Sequence, residues 1–175
     1  MLTNTMIEKL NEQINIEFYS SNLYLQMSAW CETKGFEGSA KFLRLHAEEE
    51  MEHMMRVFTY IGEAGALAVL GTIDAPPTEF ESLQAIFSMA LHHERGVTQA
   101  INDRAALAFE EKDFSTFNFL QWFIAEQHEE EGLFNGINDK FEIIGDDGHA
   151  LFLVDREIGA LHDAEAAAAS DTSQA

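Results

Sequence analysis

The chain has 175 residues, with 31 acidic side chains against 10 Lys and Arg, for a formal charge of −21. That length can build one sizeable core, and an apolar content of 46 % excludes a disordered chain. So acidic a protein is no general nucleic-acid binder and gains nothing from an anionic membrane surface; it should attract cations instead.

The helical period dominates, and no strand-like alternation interrupts it. A first helix is predicted from about Thr5 to Thr33, with Thr5 and Glu8 as a capping box and Gly35 as its stop. A second runs from about Glu37 to Ala64 and ends at Gly65. A third starts near Ser82 and runs to about Glu110; a fourth starts after Asp113 and runs to Ile144, stopped by Gly145. Short links at Gly35 and Lys112 make antiparallel neighbours. The link from Gly65 to Glu81 has 17 residues, including the only two prolines, Pro76 and Pro77. Extended, it spans about 55 Å, more than the roughly 40 Å of the second helix. It can therefore run the length of the bundle and set the second and third helices parallel. An all-α four-helix bundle with one long crossover is expected.

A short fifth helix follows, from about His149 to Leu161. It is so apolar around its circumference that it should pack in a subunit interface. Residues 162–175 read as an acidic, Ala-rich flexible tail. Cys31 is the single cysteine, which precludes an internal disulfide and fits a reducing compartment. The first residues lack the basic start and apolar run of a signal peptide, and no stretch reaches a membrane span. A cytoplasmic location is expected.

The buried stripe of each helix was read at alternating three- and four-residue steps. The first is Ile7, Leu10, Ile14, Glu17, Ser21, Tyr24, Ser28. The second is Ser39, Leu43, His46, Glu50, His53, Val57, Tyr60, Ala64. The third is Leu83, Phe87, Ala90, Glu94, Val97, Ile101. The fourth is Thr116, Leu120, Phe123, Gln127, Glu130, Phe134, Ile137, Phe141. Each seam carries an acid close to its helix midpoint, and midpoints of matched helices share one layer. Glu17, Glu50, His53, Glu94, Gln127 and Glu130 should therefore converge. An unpaired buried carboxylate costs several kcal/mol, so four together require positive charge. Two divalent cations supply it, with His53 completing the ligand set from the next turn. Oxygen-rich ligation with one imidazole suits iron or manganese; zinc would also fit, without redox chemistry.

The segments Glu17-Phe-Tyr-Ser-Ser, His46-Ala-Glu-Glu-Glu-Met-Glu-His53 and Asn118-Phe-Leu-Gln-Trp-Phe-Ile-Ala-Glu-Gln-His-Glu-Glu-Glu131 resemble the bacterial non-haem ferritins, and the likeness covers residues 1–161. The resemblance implies a ferritin-like bundle that stores iron, with ferroxidase activity: Fe²⁺ oxidised by O₂ at a di-iron centre in each subunit. Ferric mineral would then be kept inside a hollow homo-oligomeric shell of 24 subunits, with the fifth helix at the four-fold axis. Neither nucleic acid nor membrane is an expected partner.

By the same resemblance, Glu17, Glu50 and His53 hold the first iron, Glu50 bridges, and Glu94 and Glu130 hold the second, with Gln127 beside it. An adjacent third iron takes Glu49, Glu126 and Glu129, sharing Glu130. Tyr24 matches a tyrosine that can supply an electron, and Trp122 adjoins the same region. Haem-containing bacterioferritins repeat Glu-x-x-His on the fourth helix. Here the pair is Gln127-x-x-Glu130, so no haem is expected, and Met51, which falls where a haem-ligating methionine would, reads as packing with Met54 and Met55. His92, His93 and His128 flank the site in sequence and face away from the stripe, as supporting, surface or entry-path groups, and Cys31 reads as a small buried residue. The readings set against this one are a di-iron enzyme acting on an organic substrate, a DNA-protecting mini-ferritin with metal at a subunit interface, and a non-catalytic helical module.

Overall fold

The computed structural model describes residues 2–145 and 147–172, the last eleven by backbone alone. Five helices follow in order: α1 (Asn4–Lys34), α2 (Glu37–Glu63), α3 (Leu83–Glu110), α4 (Phe114–Ile144) and α5 (Gly148–Thr172), with no strand among the described residues. No helix there is long and apolar enough to cross a membrane.

The helix ends are set by local chemistry. α1 begins one step earlier than expected: Thr3, not Thr5, is its N-cap, accepting from the Met6 amide at 3.1 Å. The capping-box prediction placed the cap inside the first turn, because threonine stands at both positions. Gly35 closes α1 in the left-handed region at φ +83°, with Phe36 N–H donating to Cys31 O. Ser82 caps α3 and Asp113 caps α4, each through its side chain, as predicted.

The crossover runs along α1. The Val69 amide donates to Asn11 Oδ1, the Gly71 amide donates to Asn15 Oδ1, and Phe80 packs edge-on to Trp30. A Cβ at Gly71 would stand 2.4 Å from the Asn15 amide nitrogen, so a larger residue would push aside the side chain that accepts from the Gly71 amide. The link thus travels from near the start of α1 to near its end, and α2 and α3 lie parallel. Phe42 facing Phe87 at the same end of both helices confirms it.

α5 docks on the bundle as well as offering an outer face. Val154 and Ile158 join the core, while Phe152 and Leu153 stay exposed. α2 lacks a cap from its own sequence. Asp155 on α5 provides one, accepting from the Gly38 and Ser39 amides at 3.1 and 2.8 Å. Gly38 and Gly159 let the two backbones meet, since a Cβ at Gly38 would lie 2.0 Å from Asp155 O. The backbone of α5 remains helical to Thr172, past the end expected near Leu161. A run of alanines, Ala164 and Ala166 to Ala169, favours helix. Of the expected tail, residues 173–175 lie outside the described residues.

Two apolar clusters fill the bundle. One joins Leu23–Cys31 of α1, Ala40–Ala47 of α2, Leu83–Leu91 of α3 and Phe134–Phe141 of α4. The other joins Met6–Ile14, Met54–Ile61, Val97–Ala108 and Leu120–Phe123. Glu17, Glu50, His53, Glu94, Gln127 and Glu130 fall in the gap between them.

Candidate metal centre

Each side chain in the gap is delivered by a helix whose apolar neighbours, one turn up and one turn down, are locked in a core. Glu17, Glu50, His53, Glu94, Gln127 and Glu130 are all buried. Among these, Glu17, Glu50 and His53 bring one ligand atom each within 4.8 Å of one another. His53 Nδ1 stands 3.5 Å from Glu50 Oε2. Gln13, one turn before Glu17, donates to Glu17 Oε1 at 2.8 Å. No donor reaches Glu17 Oε2 or Glu50 Oε2. A shared proton, an ordered water or a bound cation can satisfy those oxygens.

The electrostatics agree. Burial pushes the Glu17 carboxyl up to about 7, against the opposing hydrogen bond from Gln13. Glu50 is pushed well above the usual carboxylate range by burial, then by the charges of Glu17, Glu94 and Glu130. Burial, reinforced by the Arg56 cation, holds His53 down to about 4, so its imidazole is neutral and can offer a lone pair.

Glu94 sits differently. Tyr24 O–H donates to Oε1, and Gln127 Nε2 donates to Oε2 at 2.9 Å. Burial raises the Glu94 carboxyl, and these two bonds oppose that rise. Among the described residues, Glu94 belongs to no trio of ligand-spaced atoms. Glu130 does, with His46 and Glu49. Of the expected third set, Glu126 is half-buried and Glu129 exposed, and neither belongs to that trio. Glu49 and Glu126 line an open cavity of about 640 Å³ beside His53, together with Glu52, Glu63 and Trp122. Trp122 carries the Arg56 guanidinium over its ring at 4.0 Å.

The ferritin-like domain family matches residues 7–144. The chain belongs to the ferritin family. It is 54 % identical over 161 residues to a bacterial non-haem ferritin-like protein of Haemophilus influenzae, covering 92 % of this chain and 98 % of that one. To a bacterial non-haem ferritin of Escherichia coli it is 50 % identical with the same coverage. The open-pore ferritin of Archaeoglobus fulgidus superposes with a TM-score of 0.89 at 39 % identity, over 91 % of this chain and 98 % of that one. A Chlorobium tepidum ferritin gives 0.82 at 50 % identity, over 90 % and 97 %.

Within this ferritin fold, several residues near the layer carry roles that the seam pattern does not show. Gln13 lies on the same face as Glu17 at four-residue spacing, a visible signal. Arg104 is buried, donating to Lys9 O and Ala100 O at 2.7 Å, and its charge opposes the rise of Glu17. His93 flanks the stripe and supports residues on it. It lies 2.7 Å from Ser20 Oγ and edge-on to Tyr24. His92 and His128 are exposed, as expected. Met51 packs against an apolar cluster. Cys31 is fully buried, and burial pushes its thiol up to about 12, which leaves it unreactive.

Proposed function

We propose that the protein is a cytoplasmic iron-storage ferritin with ferroxidase activity, assembled as a hollow shell of identical subunits. The observation that carries the reading is the buried trio of Glu17, Glu50 and His53, with two carboxylate oxygens that no donor reaches. Hard oxygens and one neutral imidazole match ferrous iron. Glu17, Glu50 and His53 take one ion; Glu50, Glu94 and Glu130 take the other, with Gln127 beside it. Each ferrous ion gives one electron to O₂, and the protons that Glu17 and Glu50 carry leave as the ions bind. Ferric product moves out past Glu49, Glu126 and Glu129 toward the interior, where it mineralises. Tyr24, hydrogen-bonded to Glu94, is placed to supply a further electron. Gln127, where a haem-binding relative has Glu, supports the non-haem branch.

The outer face of α5, with Phe152 and Leu153 exposed while its inner side is docked, supports assembly. The test is aerobic loading with Fe²⁺, read by iron analysis and light scattering. Retained mineral in a particle near 470 kDa, 24 copies of a 19.7 kDa chain, is the expected result. A folded monomer that turns over iron without retaining it would contradict the storage reading. So would oxygen consumption only in the presence of an organic substrate.

A further inference from the structure

Among the described residues, cavities approach the polar layer from two sides. The cavity of about 640 Å³ beside Trp122 has His53 in its wall, on the side of the first ion. A smaller cavity, of about 150 Å³, lies between α3 and α4, and the buried Gln127 is in its wall. Its lining grades inward from the exposed Asn102 and His128, through the half-buried Glu131 and Thr98, to Gln127. Gln127 Nε2 donates to Glu94 Oε2 at 2.9 Å. The small cavity therefore ends one side chain short of a ligand of the second ion.

The side chains along this cavity form a line of oxygen atoms. Thr98 O–H donates to Glu131 Oε1 at 2.6 Å. That bond uses the only hydroxyl hydrogen, so Thr98 Oγ1 has lone pairs alone to offer whatever enters. Gln127 Nε2 also reaches the Glu94 carbonyl at 3.3 Å and Thr98 Oγ1 at 3.4 Å, and none of its three contacts uses the amide oxygen. Carboxylate, hydroxyl and amide oxygens in succession suit a hard divalent cation that gives up its waters stepwise. A water needs about 10–15 Å³ of such volume, so there is room for an ion with several waters. Dioxygen would need none of these polar groups. The exposed Arg95 guanidinium lies 3.8 Å from Glu131 Oε2, and so loose a surface pair yields readily to a divalent ion.

We propose that the cavity between α3 and α4 is the way in for the ferrous ion held by Glu94 and Glu130. Glu131 draws the ion from solution. Thr98 Oγ1 and then the Gln127 amide oxygen replace waters as the ion moves inward, and Gln127 passes it to Glu94. For that last step the Gln127 side chain turns and releases Glu94. Two of its three contacts are long, and the short one goes to the oxygen that the ion takes over. This route rests on reading the layer as a metal centre. It separates inward traffic at the second position from the outward path of ferric product past Glu49, Glu126 and Glu129. It also gives a task to Thr98, Asn102 and Glu131, which belong to none of the ligand sets. The competing role for these residues is structural, a polar seam that ties α3 to α4 and admits nothing.

The deciding experiment uses the full-length assembled protein, stripped with chelator and mixed with Co²⁺ under exclusion of oxygen in a stopped-flow spectrometer. The binding phase that Glu130→Ala removes belongs to the second position. Asn102→Phe places a plug at the exposed end of the cavity, outside every ligand set. N102F should slow the second phase at least fivefold and leave the first phase and both amplitudes unchanged. Glu131→Gln keeps an oxygen for Thr98 and removes the charge. E131Q should slow the same phase at low salt, by a margin that shrinks as salt rises. An unchanged second phase in N102F overturns the route, and so does equal slowing of both phases. If N102F loses the second amplitude, E131Q decides: slowing at low salt upholds the route, and an unchanged rate overturns it. Aerobic Fe²⁺ oxidation that N102F slows and extra O₂ restores, with Co²⁺ entry unchanged, makes the cavity an oxygen path and also overturns it. The absence of any Co²⁺ phase sensitive to Glu130→Ala overturns the metal-centre reading itself.

Discussion

The two sides of the polar layer differ in what their carboxyl oxygens already do. On the side of Glu17, Glu50 and His53, one oxygen of each acid accepts from no donor. On the side of Glu94, both oxygens are taken, by Tyr24 and by Gln127. A cation arriving at the first side breaks no hydrogen bond and removes a standing desolvation cost. At Glu94 it must displace a bond or share an oxygen that already accepts one. The same four-helix frame thus offers a position around Glu17, which has an oxygen that accepts no hydrogen bond, and one around Glu94, whose own two oxygens both accept one. The first should fill first, and Glu50 should couple the two.

The largest effect expected is at that coupling residue. Glu50→Ala should slow rapid aerobic Fe²⁺ oxidation by at least an order of magnitude, about 1.4 kcal/mol in barrier, read by stopped-flow absorbance. The metal-free variant should melt no lower than the unsubstituted protein, because it loses a buried acid that Glu17, Glu94 and Glu130 repel.

Next in size is the order of filling. In anaerobic calorimetry with Fe²⁺, Glu17→Ala should abolish the tighter binding phase and Glu130→Ala the weaker one. The reverse assignment would break the comparison between the two sides.

A smaller effect is expected in the pH dependence of the metal-free protein. Glu17 has its folded value raised from 4.5 to about 7. The folded state therefore binds more protons than the unfolded one in that window, and this group's contribution falls as pH rises from 4.5 to 7. His53, lowered from 6.5 to about 4, works the other way, adding stability as pH rises through that interval. Glu17→Gln should remove only the first contribution. Its melting temperature, relative to the unsubstituted protein, should climb steadily between pH 4.5 and 7 in chelator. A constant offset across that range would show that Glu17 titrates normally.

The smallest effect concerns Gln13. Its bond favours the charged form of Glu17, so Gln13→Ala should weaken the first metal position by about 1 kcal/mol, roughly fivefold in affinity. The second position should be unmoved in the same titration.

Much of this layer is readable in the sequence, and the fourth helix shows why. All eight residues of its predicted seam, Thr116, Leu120, Phe123, Gln127, Glu130, Phe134, Ile137 and Phe141, are buried. A long straight helix keeps its phase, so periodicity alone locates the polar residues between two apolar runs. At the start of α1 the pattern is less sharp: Met6 is buried where Ile7 was expected, and Thr3 caps in place of Thr5.

What sequence periodicity does not reveal is chemistry that crosses between helices. Asp155 caps α2 from more than a hundred residues away. Tyr24 reaches Glu94 across the bundle, and His46 turns from core packing toward Glu130. Each depends on rotamer and crossing geometry, which a stripe of positions does not contain. The grouping of Glu49 with His46, apart from Glu126 and Glu129, belongs to the same class.

The central claim is that the gap between the two cores is a paired metal centre organised around Glu50. Anomalous diffraction from crystals loaded with Fe²⁺ under strict exclusion of oxygen tests it most directly. The account predicts two strong peaks about 3–4 Å apart, one against Glu17 and His53, the other against Glu94 and Glu130, with Glu50 between them. Iron confined to the acidic cavity beside Trp122, with the buried layer empty, would contradict it.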